Sequence, residues 1–214
     1  MFEINPYVAG LLTAYAAFLL SIVSPGPNFL AILGTSMGAG RKAGMALALG
    51  VSLGSVCWAT LTVLGISAIL TKIAGFLIFV KIVGGCYLLF LAFKAFRQAA
   101  RRQDMEAKKV DAGEKTPFGY FRQGLLVQMT NPKALLAWIA ITSLGLQTNA
   151  PAWVSVALVV GTGTLGVVVH LFYALAFSST PALNTYKRAR RGIQATLGLF
   201  FTLAGLKLLS SRLS

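Results

Sequence analysis

Three long stretches of the chain contain no charged residue, and this feature restricts its possible folds more than any other. They cover positions 4–40, 43–71 and 134–186. A helix that crosses a bilayer needs about 20 predominantly apolar residues. The three stretches therefore have room for one, one and two membrane-spanning helices.

The composition also indicates a membrane protein. Hydrophobic residues make up 57% of the chain, charged residues only 11%, and the mean hydropathy is +0.76. Soluble domains contain about 45–50% apolar and about 25% charged residues, and a water-facing surface cannot be built from so few ionised groups. This disfavours ordinary soluble enzymes, DNA-binding proteins and secreted proteins. Because Glu3 rather than a basic segment precedes the first apolar stretch, we do not interpret that stretch as a signal peptide.

We predict an all-α, polytopic membrane protein, with residues 1–214 forming a single transmembrane domain. The polar stretch 94–116 carries seven basic and four acidic residues, and it predicts surface helix and loop rather than a further domain. The six transmembrane helices are predicted at about 7–24 with a continuation to 37, 43–70, 74–93, 121–146, 152–177 and 193–210.

The net charge of +14 is explained by the placement of the basic residues. Most of them fall in the loops after the first, third and fifth predicted helices, and loops rich in Lys and Arg stay in the cytoplasm. We therefore predict that both termini face outward, that the basic surface faces the bilayer and cytoplasm, and that no nucleic acid is bound. The basic residues of these loops are Arg41, Lys42, Lys94, Arg97, Arg101, Arg102, Lys108, Lys109, Lys115, Arg122, Lys187, Arg188, Arg190 and Arg191.

The two halves of the sequence resemble each other. Residues 27–32 correspond to residues 132–137 at an offset of 105, and residues 85–94 correspond to residues 198–207 at an offset of 113. The alternative is chance similarity between helices rich in Leu, Ala and Gly. The order of the matches and their nearly constant offset favour an internal repeat.

An internal repeat of three helices must be inserted in the membrane upside down relative to its partner, because three is an odd number. We predict repeat 1 at about 7–93, the basic cytoplasmic loop at about 94–120, and repeat 2 at about 121–210. Inverted repeats are typical of secondary transporters, which alternate between two nearly equivalent conformations.

The first helix of each predicted repeat is interrupted by proline. In the first half the break contains Pro25, Gly26 and Pro27, and in the second half it contains Asn131 and Pro132. Proline removes a backbone donor and obstructs the preceding turn, and backbone groups freed in a membrane need other partners. Paired broken helices indicate a substrate site between them, whereas a structural kink would explain a single break.

The side chains beside the breaks suit a zwitterion. A half-helix N-terminus attracts a carboxylate, while freed carbonyls and the amides of Asn28 and Asn131 suit an ammonium group. Lys133 is the one basic residue next to a break, and an ionisable group inside a membrane is a functional hypothesis by default. It could bind the carboxylate, extend to the membrane interface, or pair with carbonyls at a helix end.

Other polar and small residues have two interpretations each. His170 is the only histidine, so it is the candidate for proton coupling, and its alternative role is a neutral hydrogen bond between helices. Trp58 and Tyr87 are interpreted as packing or interfacial residues rather than a substrate clamp. Four glycines suit close helix packing first and sliding during alternating access second: Gly50, Gly54, Gly163 and Gly166.

Functions of other classes find little support in the sequence. Cys57 and Cys86 lie in apolar segments without a CxxC spacing, which favours buried thiols over a redox pair or a metal site. Neither a Ser-His-Asp set nor paired carboxylates occur within the predicted spans. We therefore predict no enzyme activity, no cofactor and no metal, and we keep a heavy-metal exporter and a membrane thiol-redox protein as alternatives.

Several motifs together resemble the LysE/RhtB family of amino-acid exporters. They occur in the order of that family over nearly the whole chain, at 24–28 (SPGPN), 40–44 (GRKAG), 50–54 (GVSLG), 84–88 (GGCYL) and 131–133 (NPK). The resemblance implies a bacterial inner-membrane protein that exports amino acids in exchange for protons, often as an oligomer such as a homodimer. Because the second span lacks an acidic residue, the branch that handles homoserine, threonine or other neutral amino acids is favoured over the lysine exporters.

Overall fold

The computed structural model describes residues 5–24, 26–70, 76–100, 115–147, 150–178 and 180–210. Within these ranges the chain forms eight α-helices and no strand, which confirms the predicted all-α class. The helices are α1 (Pro6–Val23), α2 (Pro27–Gly38), α3 (Arg41–Leu70), α4 (Phe76–Ala100), α5 (Pro117–Met129), α6 (Pro132–Gly145), α7 (Ala152–Ala176) and α8 (Thr180–Ser210).

In the described ranges, five helices contain segments that are long and apolar enough to cross a membrane. The fourth predicted span, 121–146, is divided between α5 and α6, which have 13 and 14 residues. Neither reaches the length of about 20 residues that a span needs by itself, so the structure supports five of the six predicted spans. The five segments are Pro6–Val23, Arg41–Gly65, Ile82–Ala100, Ala152–Ala176 and Arg191–Ser210.

Proline marks the start of four helices. Pro6, Pro27, Pro117 and Pro132 are the first residues of α1, α2, α5 and α6. The missing N–H costs no hydrogen bond at this position, and the fixed φ already suits the helix. Both predicted breaks therefore occur where the sequence places proline, between α1 and α2 and between α5 and α6.

Two predicted loop boundaries are wrong. The segment 178–191 was predicted as a loop, yet α8 begins at Thr180, and α4 continues through the predicted loop start at 94 to Ala100. Lys, Arg and Ala are good helix formers, so a basic segment without an interior proline does not end a helix. The rest of the predicted loop at 101–114 lies outside the described residues, and α5 already begins at Pro117.

Close contacts between backbones fix α3 against α5. A Cβ atom at Gly50 would lie 1.9 Å from the carbonyl oxygen of Phe121, and a Cβ atom at Gly124 would lie 2.1 Å from that of Leu47. Only glycine fits at such distances. In addition α3 packs on α7, α4 packs along α8, and α1 contacts α6 and α7.

Contacts between helix termini define the two ends of the bundle. At one end Nε of Arg41 donates to Oγ of Ser178 at 3.3 Å. At the other end Nε2 of Gln147 donates to the carbonyl of Pro6 at 3.1 Å. Helix α1 starts at the end where Gln147 contacts Pro6, and α2 finishes at the end where Arg41 contacts Ser178. The break between α1 and α2 therefore lies inside the bundle.

Candidate functional site

The first break follows from the conformation that proline imposes on its neighbours. Ser24 and Gly26 precede prolines, and both have extended backbones, with ψ of 120° and −174°. A residue before proline is disfavoured in the helical region, so α1 ends and α2 starts anew at Pro27. No side chain caps the N-terminus of α2 at Gly26. Pro25 lies outside the described residues.

The second break has the same cause but a different cap. Asn131 precedes Pro132 and is extended, with ψ of 107°. Its Oδ1 accepts a hydrogen bond from the backbone N–H of Lys133 at 3.0 Å. Asparagine is among the preferred capping residues, so α6 has a capped N-terminus whereas α2 has no side-chain cap.

A chain of side-chain hydrogen bonds connects the two breaks. Nδ2 of Asn131 donates to Oδ1 of Asn28 at 3.2 Å, and Nδ2 of Asn28 donates to Oε1 of Gln128. Nε2 of Gln128 in turn donates to Oγ of Ser55 on α3 at 2.7 Å. Gln128 and Asn131 are only 3% and 5% exposed, so this polar chain lies within the helix bundle.

Lys133 extends from the second break to the first. Its Nζ atom donates to the carbonyl of Ser24 at 3.1 Å and lies 3.5 Å from the carbonyl of Ser21. The helical partner of the Ser21 carbonyl would be the N–H of residue 25, which proline lacks. Of the three roles considered for Lys133, pairing with carbonyls at a helix end is therefore the one that this conformation has.

Two aromatic residues contact backbone carbonyls at the second break. Nε1 of Trp58 donates to the carbonyl of Gln128 at 3.2 Å, and the hydroxyl of Tyr87 donates to the carbonyl of Lys133 at 2.9 Å. These bonds attach α3 and α4 to the backbone on either side of the second break, and the Gln128 carbonyl also accepts from the N–H of Asn131 at 3.3 Å. Trp58 and Tyr87 thus hold the break in place, which is more specific than the packing role expected for them.

The breaks border a cavity of about 40 Å³. A cavity needs roughly 10–15 Å³ of such volume for one water molecule, so in this conformation it has room for a few waters. Five of the predicted site residues line it: Gly26, Asn28, Asn131, Lys133 and His170.

Of the predicted prolines that the structure describes, neither Pro27 nor Pro132 lines the cavity. Pro27 and Pro132 are exposed, and they act through the helix breaks that they cause. The polar lining residues that the sequence predictions did not include are Ser21, Ser55, Gln128 and Tyr173. The sequence could have indicated Gln128 as a site residue, because it is an amide within an apolar segment and lies one helical turn before Asn131.

His170 reaches the cavity from α7. Its ring is 2% exposed, and Nδ1 lies 3.0 Å from Oγ of Ser52 on α3. The Ser52 hydroxyl also lies 2.9 Å from the carbonyl of Ala48. One side of the imidazole is therefore held by α3 while the residue borders the cavity.

Besides Gly50, three glycines were predicted to allow close helix packing, and each lies at a contact between helices. A Cβ atom at Gly54 would lie 2.7 Å from Cγ of Gln128, and one at Gly166 would lie 3.3 Å from Cζ of Phe18. A Cβ atom at Gly163 would lie 3.0 Å from Cγ2 of Val56. Larger residues at Gly54 and Gly166 would thus displace side chains that themselves line the cavity.

The cysteines are separate from this cavity. Cys57 is partly buried on α3, Cys86 is exposed on α4, and both are free thiols. Among the residues that the structure describes, no three His, Cys, Asp or Glu side chains come together in a group that could hold a metal ion. The cavity instead presents amides, hydroxyls, carbonyls and one ammonium group.

Comparison with known proteins identifies the family. The family model described as "LysE type translocator" matches residues 19–212, a range that contains both breaks and every predicted site residue. The chain belongs to the LysE type translocator family.

Curated relatives of this LysE type translocator match over nearly their full length. The uncharacterized membrane protein YahN of Escherichia coli is 28% identical over 193 residues, which cover 90% of this chain and 85% of the relative. The threonine efflux protein of Escherichia coli is 27% identical over 206 residues, covering 94% and 98%. An uncharacterized membrane protein of Pseudomonas aeruginosa is 31% identical over 200 residues, covering 90% and 91%. No solved structure matches the chain.

The family and the helices agree on the general class. This LysE type translocator is a multi-pass membrane protein with several apolar helices. Its relatives include proteins named for the efflux of an amino acid. The cavity between the helix breaks is therefore the place to look for a small polar substrate.

Proposed function

We propose that this LysE type translocator exports neutral amino acids of the threonine or homoserine kind across the bacterial inner membrane. The observation that carries the proposal is the cavity between two broken helices, lined by Asn28, Asn131 and Lys133. Broken helices that face each other offer backbone groups of both polarities to a ligand. The threonine efflux proteins among the relatives favour the same substrate class.

The two ends of an amino acid find different partners in this cavity. The N-terminus of α2 has no side-chain cap at Gly26, and the partial positive charge there attracts a carboxylate. The carbonyls of Ser21 and Ser24 already hold an ammonium group, that of Lys133, and they suit the ammonium group of a substrate equally well. The amide of Asn28, near the N-terminus of α2, lines the same cavity as Ser21 and Ser24.

Transport requires the cavity to open to each side in turn. At about 40 Å³ it must widen to admit an amino acid, because it holds only a few waters. Two aromatic pairs limit it: Phe18 packs on Trp138 with ring centres 5.3 Å apart, and Phe29 packs on Tyr173 at 5.2 Å. The first pair lies on α1 and α6, toward the Pro6 end, and the second lies on α2 and α7, toward the opposite end.

An inverted repeat is the architecture that we propose for this motion, with α1–α4 as one half and α5–α8 as the other. In this repeat α1 corresponds to α5, and α2 corresponds to α6. The contact of α1 with α6 therefore has the contact of α5 with α2 as its equivalent, and both contacts are present. The same correspondence maps the α3–α7 and α4–α8 pairs onto themselves. These contacts support a single transmembrane domain made of two related halves that can rock against each other.

The proposal includes orientation and coupling. Basic residues gather where helices begin or end: Arg41 begins α3, Arg97 lies in the last turn of α4, and Nε of Arg191, in the first half of α8, donates to the carbonyl of Ala99 near the end of α4. This distribution favours a cytoplasmic location for that end of the bundle and an outward location for both termini. His170 borders the cavity, and imidazole can gain and lose a proton near neutral pH. We assign it the coupling of export to an inward proton flow.

An export screen tests the proposed function. Cells that overproduce the protein are exposed to inhibitory levels of each of the twenty amino acids and of homoserine, and the release of each into the medium is measured. We expect tolerance and release for neutral amino acids such as threonine. Asn28→Ala cells with the same amount of protein in the membrane serve as the control and should release less. Release of none of these compounds would contradict the proposal.

A further inference from the structure

The ammonium group of Lys133 occupies carbonyls that suit the ammonium group of a substrate. Nζ lies 3.1 Å from the Ser24 carbonyl and 3.5 Å from the Ser21 carbonyl. It thereby supplies the donor that Pro25 cannot provide to the end of α1. A second cation can bind the same carbonyls only after Lys133 leaves them.

The chain offers Lys133 no carboxylate partner within its helices. Positions 4–103 and 115–214 contain neither Asp nor Glu. An intramembrane cation normally pairs with an acid or with backbone carbonyls, and Lys133 has only the carbonyls. A carboxylate that enters the cavity from outside would therefore be attracted to it.

Hydrogen bonds with two side chains fix the backbone of Lys133, and its side chain lies along Gly26. Asn131 accepts a hydrogen bond from its N–H at 3.0 Å, and Tyr87 donates to its carbonyl at 2.9 Å. Beside the side chain stands Gly26, where even a Cβ atom would lie 3.2 Å from Nζ and 3.3 Å from Cδ. The absence of a side chain at Gly26 therefore lets the side chain of Lys133 lie directly against the first break.

We propose that Lys133 is a tethered cation that holds the ammonium subsite between transport cycles, gives it up to the ammonium group of an incoming amino acid, and then binds that amino acid's carboxylate. The inference rests on the proposed function and adds a basis for the choice of substrate. A zwitterion carries one charge of each sign. Its ammonium group binds the carbonyls that Lys133 leaves, and its carboxylate binds the ammonium group of Lys133, so every charge has a partner.

Substrates of other charge types do not satisfy this exchange. An amine without a carboxylate displaces Lys133 from the carbonyls and leaves two cations close together in a medium of low dielectric constant, which is unfavourable. A basic amino acid adds a second positive charge beside Lys133. The site therefore selects neutral zwitterions and rejects simple amines and basic amino acids.

Competition binding tests the exchange. The full-length protein is reconstituted in liposomes with radiolabelled L-threonine, or with whichever neutral amino acid the export screen ranks first, at about pH 6 so that α-amino groups are protonated. The competitor is the methyl ester of the same amino acid, which keeps the ammonium group and lacks the carboxylate. In the wild type the ester should compete at least about 10-fold more weakly than the amino acid, the effect of one charge-assisted hydrogen bond.

Removal of the cation should weaken this discrimination. In Lys133→Met the carbonyls are open to either ammonium group and only the N-terminus of α2 attracts the carboxylate, so the preference for the amino acid over the ester should fall by several-fold. Lys115→Met is the matched control, because Lys115 donates to Gln123 at an exposed position before α5, and it should keep the wild-type preference. Monodisperse elution after detergent extraction shows whether each variant is folded.

The outcomes separate the two proposals. If the wild type binds no neutral amino acid, the proposed function fails and the inference falls with it. If the wild type binds the amino acid but binds its ester equally well, the inference alone is wrong, even if no Lys133 variant folds. Discrimination by folded Lys133→Met as strong as that of the wild type would also overturn the inference alone.

Discussion

Nδ2 of Asn131 donates a hydrogen bond to Oδ1 of Asn28 at 3.2 Å, across 103 residues of sequence. This contact places the two helix breaks side by side. Oδ1 of Asn131 meanwhile caps α6 through the N–H of Lys133, so one side chain performs a local and a long-range task.

Substitutions of Asn131 should separate these two tasks. Serine is also a good helix cap but is too short to reach Asn28, so Asn131→Ser should retain stability and lose export. Asn131→Ala should lose both, with a stability loss of about 1–2 kcal/mol from the missing cap. Thermal unfolding in detergent and export from cells measure the two effects. Full export by Asn131→Ser would show that the contact with Asn28 is dispensable.

Gln128 should matter more than another glutamine on the same helix. Gln128→Leu leaves the amide of Asn28 and the hydroxyl of Ser55 without their partner inside the bundle, at a cost of about 1–3 kcal/mol per buried polar group. Gln123→Leu is the control, because the Gln123 amide accepts its described hydrogen bond from Lys115 at an exposed position rather than inside the bundle. We expect a lower unfolding temperature and reduced export for Gln128→Leu alone. Equal behaviour of the two variants would refute a role of the amide chain.

The close contact of α3 with α5 predicts a strong effect of one methyl group. A Cβ atom at Gly50 would lie 1.9 Å from the Phe121 carbonyl oxygen, whereas one at Gly65 on the same helix meets nothing within 4 Å. Gly50→Ala should therefore destabilise the protein by about 1–3 kcal/mol or more, and Gly65→Ala should not. The measurement is the unfolding temperature and the yield of monodisperse protein. A normal yield and unfolding temperature for Gly50→Ala would contradict this packing.

His170 should be required for coupling rather than for folding. Glutamine at this position can still form a hydrogen bond with Ser52 but cannot carry a proton. In liposomes, an imposed proton gradient should accelerate amino-acid exchange by the wild type and leave His170→Gln unaffected. Ser52→Ala, which keeps the imidazole, should still respond. Acceleration of His170→Gln to the wild-type extent would remove His170 from the coupling role.

The charge distribution predicts the orientation of the chain. A periplasm-dependent reporter fused after Ser214 should be active, and the same reporter fused after Lys109, in the basic loop, should be inactive. The reason is that loops rich in Lys and Arg stay in the cytoplasm. The opposite pattern would show that the chain has the inverse topology.

The sequence by itself determined the elements and their breaks. Apolar stretches without charge must become helices in a bilayer, because no other local structure satisfies the backbone there. Prolines at positions 25, 27 and 132 interrupt those helices wherever the chain folds, because the obstruction is local. The basic residues of 180–191 misled the prediction of a loop, since their charge indicates a surface location but does not prevent a helix.

Only the tertiary structure decided which polar groups meet. The bond of Asn28 to Gln128, the contact of Lys133 with the Ser24 carbonyl and the bond of Trp58 to the Gln128 carbonyl join residues 70 to 109 positions apart. No local rule sets these partners, because they depend on the rotation and depth of each helix. Those are fixed by close contacts such as that of Gly50 with Phe121, and packing of this kind acts between helices rather than along the chain.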